Sequence, residues 1–200
     1  MARPRTFDET AVLDAAAGQF RVHGFADTST EQLCEAAGVK RSSLYNTFTS
    51  KDELFVRALA HYVETTGAMQ AEILEDADLD GMTRLRGVLD LILEEEVTAA
   101  RDGHAAGCMV VGSRMTPDVE ERDHRVKRIL DASLDRQVSA LSNAVEIGQR
   151  DGSVRSEIAG RDAALLVVSI ISGLRVLAQA GSRPDELRRV ATLGLDALRP

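Results

Sequence analysis

Apolar positions recur at intervals of three and four residues along nearly the whole chain, the period of helices that bury one face. Val12, Ala16 and Phe20 stripe a first helix that opens near a Thr6/Glu9 capping box and closes near His23-Gly24. Two short helices follow. Thr28 and Glu31 have capping-box spacing at the start of the first, whose apolar face is Leu33, Ala36 and Ala37. Gly38 supplies the positive φ of a tight turn, and Val39 plugs the angle between the helices. The second short helix is Arg41 to Phe48, with Leu44 and Phe48 inward and Ser42, Ser43, Tyr45 and Asn46 outward. Ser50 and Glu53 cap a long helix that runs through Leu54, Ala58, His61 and Tyr62 to about Asp76.

After a turn at residues 78–81, a helix over Met82 to Arg101 keeps Leu85, Val88, Leu89, Ile92 and Leu93 inside and breaks at Asp102-Gly103. Ala106 to Met115 reads as a short apolar helix stopped by Thr116-Pro117. Asp118 to Arg150 reads as one long amphipathic helix, with Val126, Ile129, Leu130, Leu134, Val138 and Leu141 at helical spacing. Asp162 to Ala180 is apolar nearly all round, more surface than one neighbouring helix covers. The last helix, Pro184 to Leu198, carries Leu187, Val190, Ala191, Gly194, Leu195 and Leu198 on one stripe. Alternating runs of the strand type are almost absent, so the fold class is all-α. The expected organisation is a three-helix head over residues 1–50 and a larger helical domain over 51–200.

The most specific stretch lies between Thr28 and Lys51, where a capped helix, a glycine turn, a second helix and a new cap make a helix-turn-helix over about residues 29–48. The pattern is continued by Val12, Ala15, Ala16, Phe20, Gly24 and Phe25 before it, then by Ala37-Gly38-Val39, Leu44-Tyr45, Phe48, Ser50-Lys51 and Leu54-Phe55. These residues resemble the TetR family of bacterial transcriptional regulators over roughly the first third of the chain. Thr47 departs from the family, which usually carries His or Tyr there. A helix-turn-helix lays its second helix in the major groove and its first across the backbone. Lys40 and Arg41 then reach phosphates or guanine edges, and Ser42, Ser43 and Asn46 face bases. Tyr45 bonds a phosphate and packs on the sugar, while Lys51 and the backbone N–H groups at the Ser50 cap clamp another phosphate. Thr28, at the entrance to the motif, is grouped with these DNA contacts. Arg3 and Arg5 are either a minor-groove arm or a disordered tail.

A net charge of −8 at first argues against a nucleic-acid partner, but its distribution does not. Residues 1–51 hold six basic and six acidic side chains, so the whole negative excess belongs to the remainder. Local geometry governs phosphate binding, and the acidic remainder repels DNA and orients the head toward it. No run of 18 or more uncharged apolar residues occurs, so no membrane span is expected. The start of the chain lacks the apolar run of a signal peptide. Two cysteines, Cys34 and Cys108, stand far apart without ligand-spaced partners, which fits a reducing cytoplasm and no metal or cofactor.

Every aromatic residue lies in the first 62 positions. The resemblance implies an effector pocket in the second domain, and its lining is therefore aliphatic and sulfur-rich. His61, Met69, Leu89, Leu93, Cys108, Met109, Met115 and Leu134 are its candidates, with His104 and Arg114 as further polar groups. Each methionine is equally at home as core filler. Cys108 is either a reactive thiol at a helix start or a packed one. The resemblance further implies a ligand-responsive repressor that binds a palindromic operator as a homodimer; docking two heads on one duplex spaces them about 34–36 Å apart, or somewhat wider in a ligand-bound form. Leu166, Ile170, Leu174 and Leu177, with Val190, Gly194 and Leu198, offer the surface for a four-helix dimer interface. Two other readings stay open: an all-α enzyme with a Cys108 nucleophile and His104 base, and a DNA-binding protein whose second domain recruits a protein partner.

Overall fold

The computed structural model describes residues 8–101 and 105–200. The Arg3 and Arg5 arm, Thr6 of the first capping box, and His104 lie outside the described residues. Ten α-helices and no strand occur among those described: α1 Glu9–Asp27, α2 Thr30–Ala37, α3 Arg41–Phe48, α4 Lys51–Leu74, α5 Gly81–Arg101, α6 Met109–Arg114, α7 Pro117–Arg122, α8 His124–Asp151, α9 Gly160–Gln179 and α10 Pro184–Asp196. The chain forms two compact units, one from residues up to Glu64 together with Cys108–Leu130, the other from Thr65–Gly107 with Asp131–Pro200.

The first unit gathers the apolar faces of α1 to α3 on the first turns of α4. Asp8 caps α1 by accepting from the Ala11 N–H, and Gly24 (φ 74°) ends its regular geometry where the sequence places a break. Val12, Ala16 and Phe20 are buried with Leu33, Leu44 and Phe48, and with Leu54, Phe55, Ala58 and Leu59 of α4. Met109, Val126 and Leu130 complete this core. Three rings fix one corner of it. Phe55 meets Phe20 and Phe25 edge-on, with centroids 5.0 and 5.1 Å away.

The second unit has an aliphatic core of Leu85, Val88, Leu89, Ile92 and Leu93 from α5, Val138, Leu141 and Val145 from α8, Val167 and Leu174 from α9, and Leu187, Leu195 and Leu198 near the end of the chain. At the start of α5, a Cβ on Gly81 would lie 2.2 Å from the Gly148 backbone, so only glycine permits this crossing with α8. Asp151 and Ser153 accept from the Gly81 and Met82 N–H groups and cap α5 from a distance. Buried Arg84 donates to the Leu74 and Leu79 carbonyls and fastens the α4–α5 turn.

Several expectations are corrected here. The long helix expected over residues 118–150 is two helices, because Asp123 takes an extended conformation (φ −146°, ψ 111°) between α7 and α8. Its carboxylate accepts from the Arg125 N–H and guanidinium, a local bond that competes with helix continuation. Among the described residues α9 is long and apolar enough, by length and composition, to cross a membrane. Here it instead lines the core with Ala163, Ala164, Val167 and Leu174, and buries Arg175 among ion pairs. Leu174 and Leu198 are both 0% exposed within their own chain, so neither faces outward for a dimer contact. Ile170 and Gly194 are half-buried against one another, since a Cβ on Gly194 would lie 2.5 Å from Ile170 Cδ1. The outward apolar residues of α9 and α10 are Leu165, Leu166, Val176 and Leu177, with Val190 and Leu193.

Candidate nucleic-acid interface

The helix-turn-helix is built one residue later than its first capping signal suggests. Ser29, not Thr28, is the N-cap of α2: its Oγ accepts from the Gln32 N–H at 3.2 Å, and its own N–H donates to Gln32 Oε1 at 2.7 Å. Thr28 is 0% exposed and its hydroxyl donates to the Gly24 carbonyl at 2.6 Å, so it braces the α1–α2 corner rather than facing a ligand. Ala36, expected inward, is exposed, while Cys34 and Ala37 pack against the core beside buried Leu33. Gly38 (φ 64°, ψ 29°) turns the chain as expected, and Val39 donates back to the Cys34 carbonyl.

Helix α3 then presents the expected face. Lys40, Arg41, Ser42 and Asn46 are exposed; Ser43 and Tyr45 are half-buried; Leu44 and Phe48 point inward. No side chain caps α3, so its first N–H groups remain directed at whatever approaches its end. The Tyr45 hydroxyl lies 3.0 Å from Thr30 Oγ1, and the Arg41 guanidinium stands 5.5 Å from the Tyr45 ring centroid. Thr30 thus locks the ring of the second helix to the start of the first, a contact that the spacing of polar residues did not reveal. Thr49 leaves α3 with φ 57°, a strained value for a β-branched residue, and the chain re-enters helix at Lys51. Ser50 Oγ accepts from the Glu53 N–H, but the Glu53 carboxylate pairs with Arg125 instead of closing the capping box.

Charge around the exit of α3 is dense. The half-buried Lys51 ammonium lies 4.4 Å from the Phe25 centroid, and Arg122 of α7 lies 5.4 Å from the same ring. Burial lowers the Lys51 pKa, Arg122 lowers it further, and Asp52 and Asp27 oppose them. Arg125, bridging Glu53 and Asp123, holds the Asp123 carboxyl down at about 2 through its side-chain and backbone hydrogen bonds.

The helix-turn-helix lies inside the segment that resembles a known family. Residues 12–58 match the family described as "Bacterial regulatory proteins, tetR family". The chain is 30% identical to the Pseudomonas putida protein named "Probable HTH-type transcriptional regulator ArpR", over 94% of this chain and 90% of that protein. The chain belongs to the tetR family. It is also 26% identical to the HTH-type transcriptional repressor ComR of Escherichia coli (strain K12), over 94% of this chain and 88% of that protein. Among solved structures, a cysteine mutant of the TetR family transcriptional regulator CifR, complexed with 26bp double-strand operator DNA, superposes with a TM-score of 0.79. That match has 27% identity and covers 98% of this chain and 99% of the other. The tetR-family chain is accordingly a helix-turn-helix regulator of transcription, and the relatives are regulators rather than enzymes.

The expected pocket residues do not share one environment. Leu89 and Leu93 are buried in the aliphatic core of the second unit, whereas Met109 is buried in the core of the first with Cys108 packed against it. Met115 is 76% exposed and Leu134 is exposed too, so neither lines an enclosed space within the chain. His61 Nε2 lies 2.7 Å from Asp14 Oδ1, which occupies it within the first unit. Met69 is half-buried. Cys108 is the extended residue preceding α6 and makes no side-chain cap bond.

Proposed function

We propose that this tetR-family regulator is a ligand-responsive repressor that binds a palindromic operator as a homodimer, with residues 1–50 for DNA binding and 51–200 for regulation and dimerisation. One observation carries the reading: α3 turns a short polar face outward, flanked by Lys40 and Arg41 at one end and Lys51 past the other, with Tyr45 held in place by Thr30. Ser42, Ser43 and Asn46 are its base-reading groups, Asn46 suiting adenine, and Arg41 suits guanine or a phosphate. Tyr45 and Lys51 hold phosphates. The operator complex of CifR and the repressor name of ComR support the same assignment.

The second copy covers Leu166, Val176 and Leu177 of α9 with Val190 and Leu193 of α10, an apolar surface that one subunit leaves in water. Pairing also supplies specificity, because one eight-residue helix reads too few base pairs alone. The effector is a small molecule of aliphatic character, held among aliphatic side chains of the second unit, which has no Phe, Tyr or Trp. It acts through α4, whose 24 residues join Lys51 to the second unit without a break. Cytoplasmic location follows from this role.

Selection from a random duplex library tests the reading. The purified protein should enrich a palindrome with half-sites about one DNA turn apart, and lose affinity steeply with salt. Failure to enrich any sequence at low salt would falsify it.

A further inference from the structure

Two cations converge on one aromatic ring at the exit of the recognition helix. Lys51 and Arg122 stand 4.4 and 5.4 Å from the Phe25 centroid, and Phe25 is itself wedged against Phe55 and Phe20. The ring is therefore a fixed pedestal rather than a loose partner. Arg122 is exposed and lies in the last turn of α7, far in sequence from the helix-turn-helix. Like charges gathered on one ring repel: Arg122 adds to the burial that lowers the Lys51 pKa. Asp27 and Asp52 face Lys51, whereas no carboxylate among the described residues pairs with Arg122. An anion placed against both cations removes that repulsion.

We infer that Arg122 is a DNA-backbone contact that works with Lys51 on a phosphodiester flanking the bases read by α3. The inference rests on the DNA-binding reading above and extends its interface beyond the helix-turn-helix. The chemistry is complementary. Lys51 offers a compact point charge, and the Arg122 guanidinium offers a planar fork of N–H donors that matches two phosphate oxygens. Lys51 begins α4 three residues past the end of α3, so a phosphate held there fixes how the recognition helix enters the groove. Such a contact positions the protein and carries no base preference of its own.

The test is fluorescence anisotropy across a salt series, with one duplex selected from a random library and one unselected duplex. Arg122→Gln should flatten the plot of log affinity against log salt by about 0.9 per subunit, on both duplexes equally. Between 50 and 200 mM salt a wild-type dimer should then lose about tenfold more affinity than the variant. Arg122→Lys should keep the wild-type slope. A wild-type slope in Arg122→Gln, alongside a flattened slope in Lys51→Ala, overturns the assignment and leaves the DNA reading standing. So does a flattened slope in Arg122→Lys, which would mark loss of packing rather than charge. If the wild-type protein binds neither duplex, the DNA reading itself falls and takes this inference with it.

Discussion

Replacing Glu96 by leucine is the sharpest way to ask what the second unit owes to its buried charges. Glu96 and Arg175 are each 3% exposed. One Glu96 oxygen accepts from Arg175 Nη1 at 2.7 Å and the other from the Ala106 N–H at 2.9 Å, while Glu95 takes the second arm of the guanidinium. Removing one partner of a buried pair costs about 3–5 kcal/mol. Glu95 still neutralises Arg175 in the variant, which argues for the lower end. The stranded Ala106 N–H adds about 1 kcal/mol, so the expected loss is about 3–4 kcal/mol. Against a total stability of about 5–15 kcal/mol that is a large fraction. Urea unfolding followed by far-ultraviolet circular dichroism, at fixed protein concentration, should show the midpoint fall by roughly 1–2 M. Arg175→Met should cost a similar amount. The double variant should cost clearly less than the two together, with a coupling of about 2 kcal/mol. A loss below about 1 kcal/mol for Glu96→Leu, or strict additivity in the double variant, would refute the reasoning.

Two further outcomes follow from other parts of the molecule. Leu177→Asp places a charge on the exposed apolar side of α9, so each chain should keep its helical content while sedimentation shows monomers and operator affinity drops at least a hundredfold; a wild-type monomer at micromolar concentration would defeat the dimer claim. Asp123→Asn tests a titration: because the folded carboxyl is depressed to about 2, its stabilisation is complete above the unfolded carboxylate range and is lost as pH falls toward 2. The stability gap between wild type and Asp123→Asn should be flat from pH 5 to 8 and close between about pH 4 and 2; a gap unchanged across that acid range would remove Arg125 as its cause.

The head was legible because several local signals agreed. Gly38 at the turn, Leu44 and Phe48 four residues apart, and the bounds of α3 all stand where the sequence puts them. The α2 cap was ambiguous, since Thr28/Glu31 and Ser29/Gln32 share one spacing; burial of Thr28 against Gly24 decides between them, and burial is not a local signal. The break at Asp123 was hidden because apolar spacing runs on through it and the deciding contact is with Arg125. On α9 an apolar run all the way round cannot say which stripe faces its own core, so Leu174 reads as an outward residue although it is buried. Arg122 was invisible for a further reason. Its significance comes from a ring nearly a hundred positions earlier in the chain.

Because the chain contains no tryptophan and only two tyrosines, Tyr45 and Tyr62, its native ultraviolet emission arises wholly from the first compact unit. Tyr45 sits on the recognition helix beneath Arg41 and bonded to Thr30, so a phosphate or sugar arriving there changes the surroundings of a fluorophore already in place. The second unit, by contrast, is optically silent at those wavelengths. Emission therefore watches the first unit alone while circular dichroism sums the helices of both, so a perturbation that loosens the second unit changes the dichroism and leaves the emission in place, with no label attached.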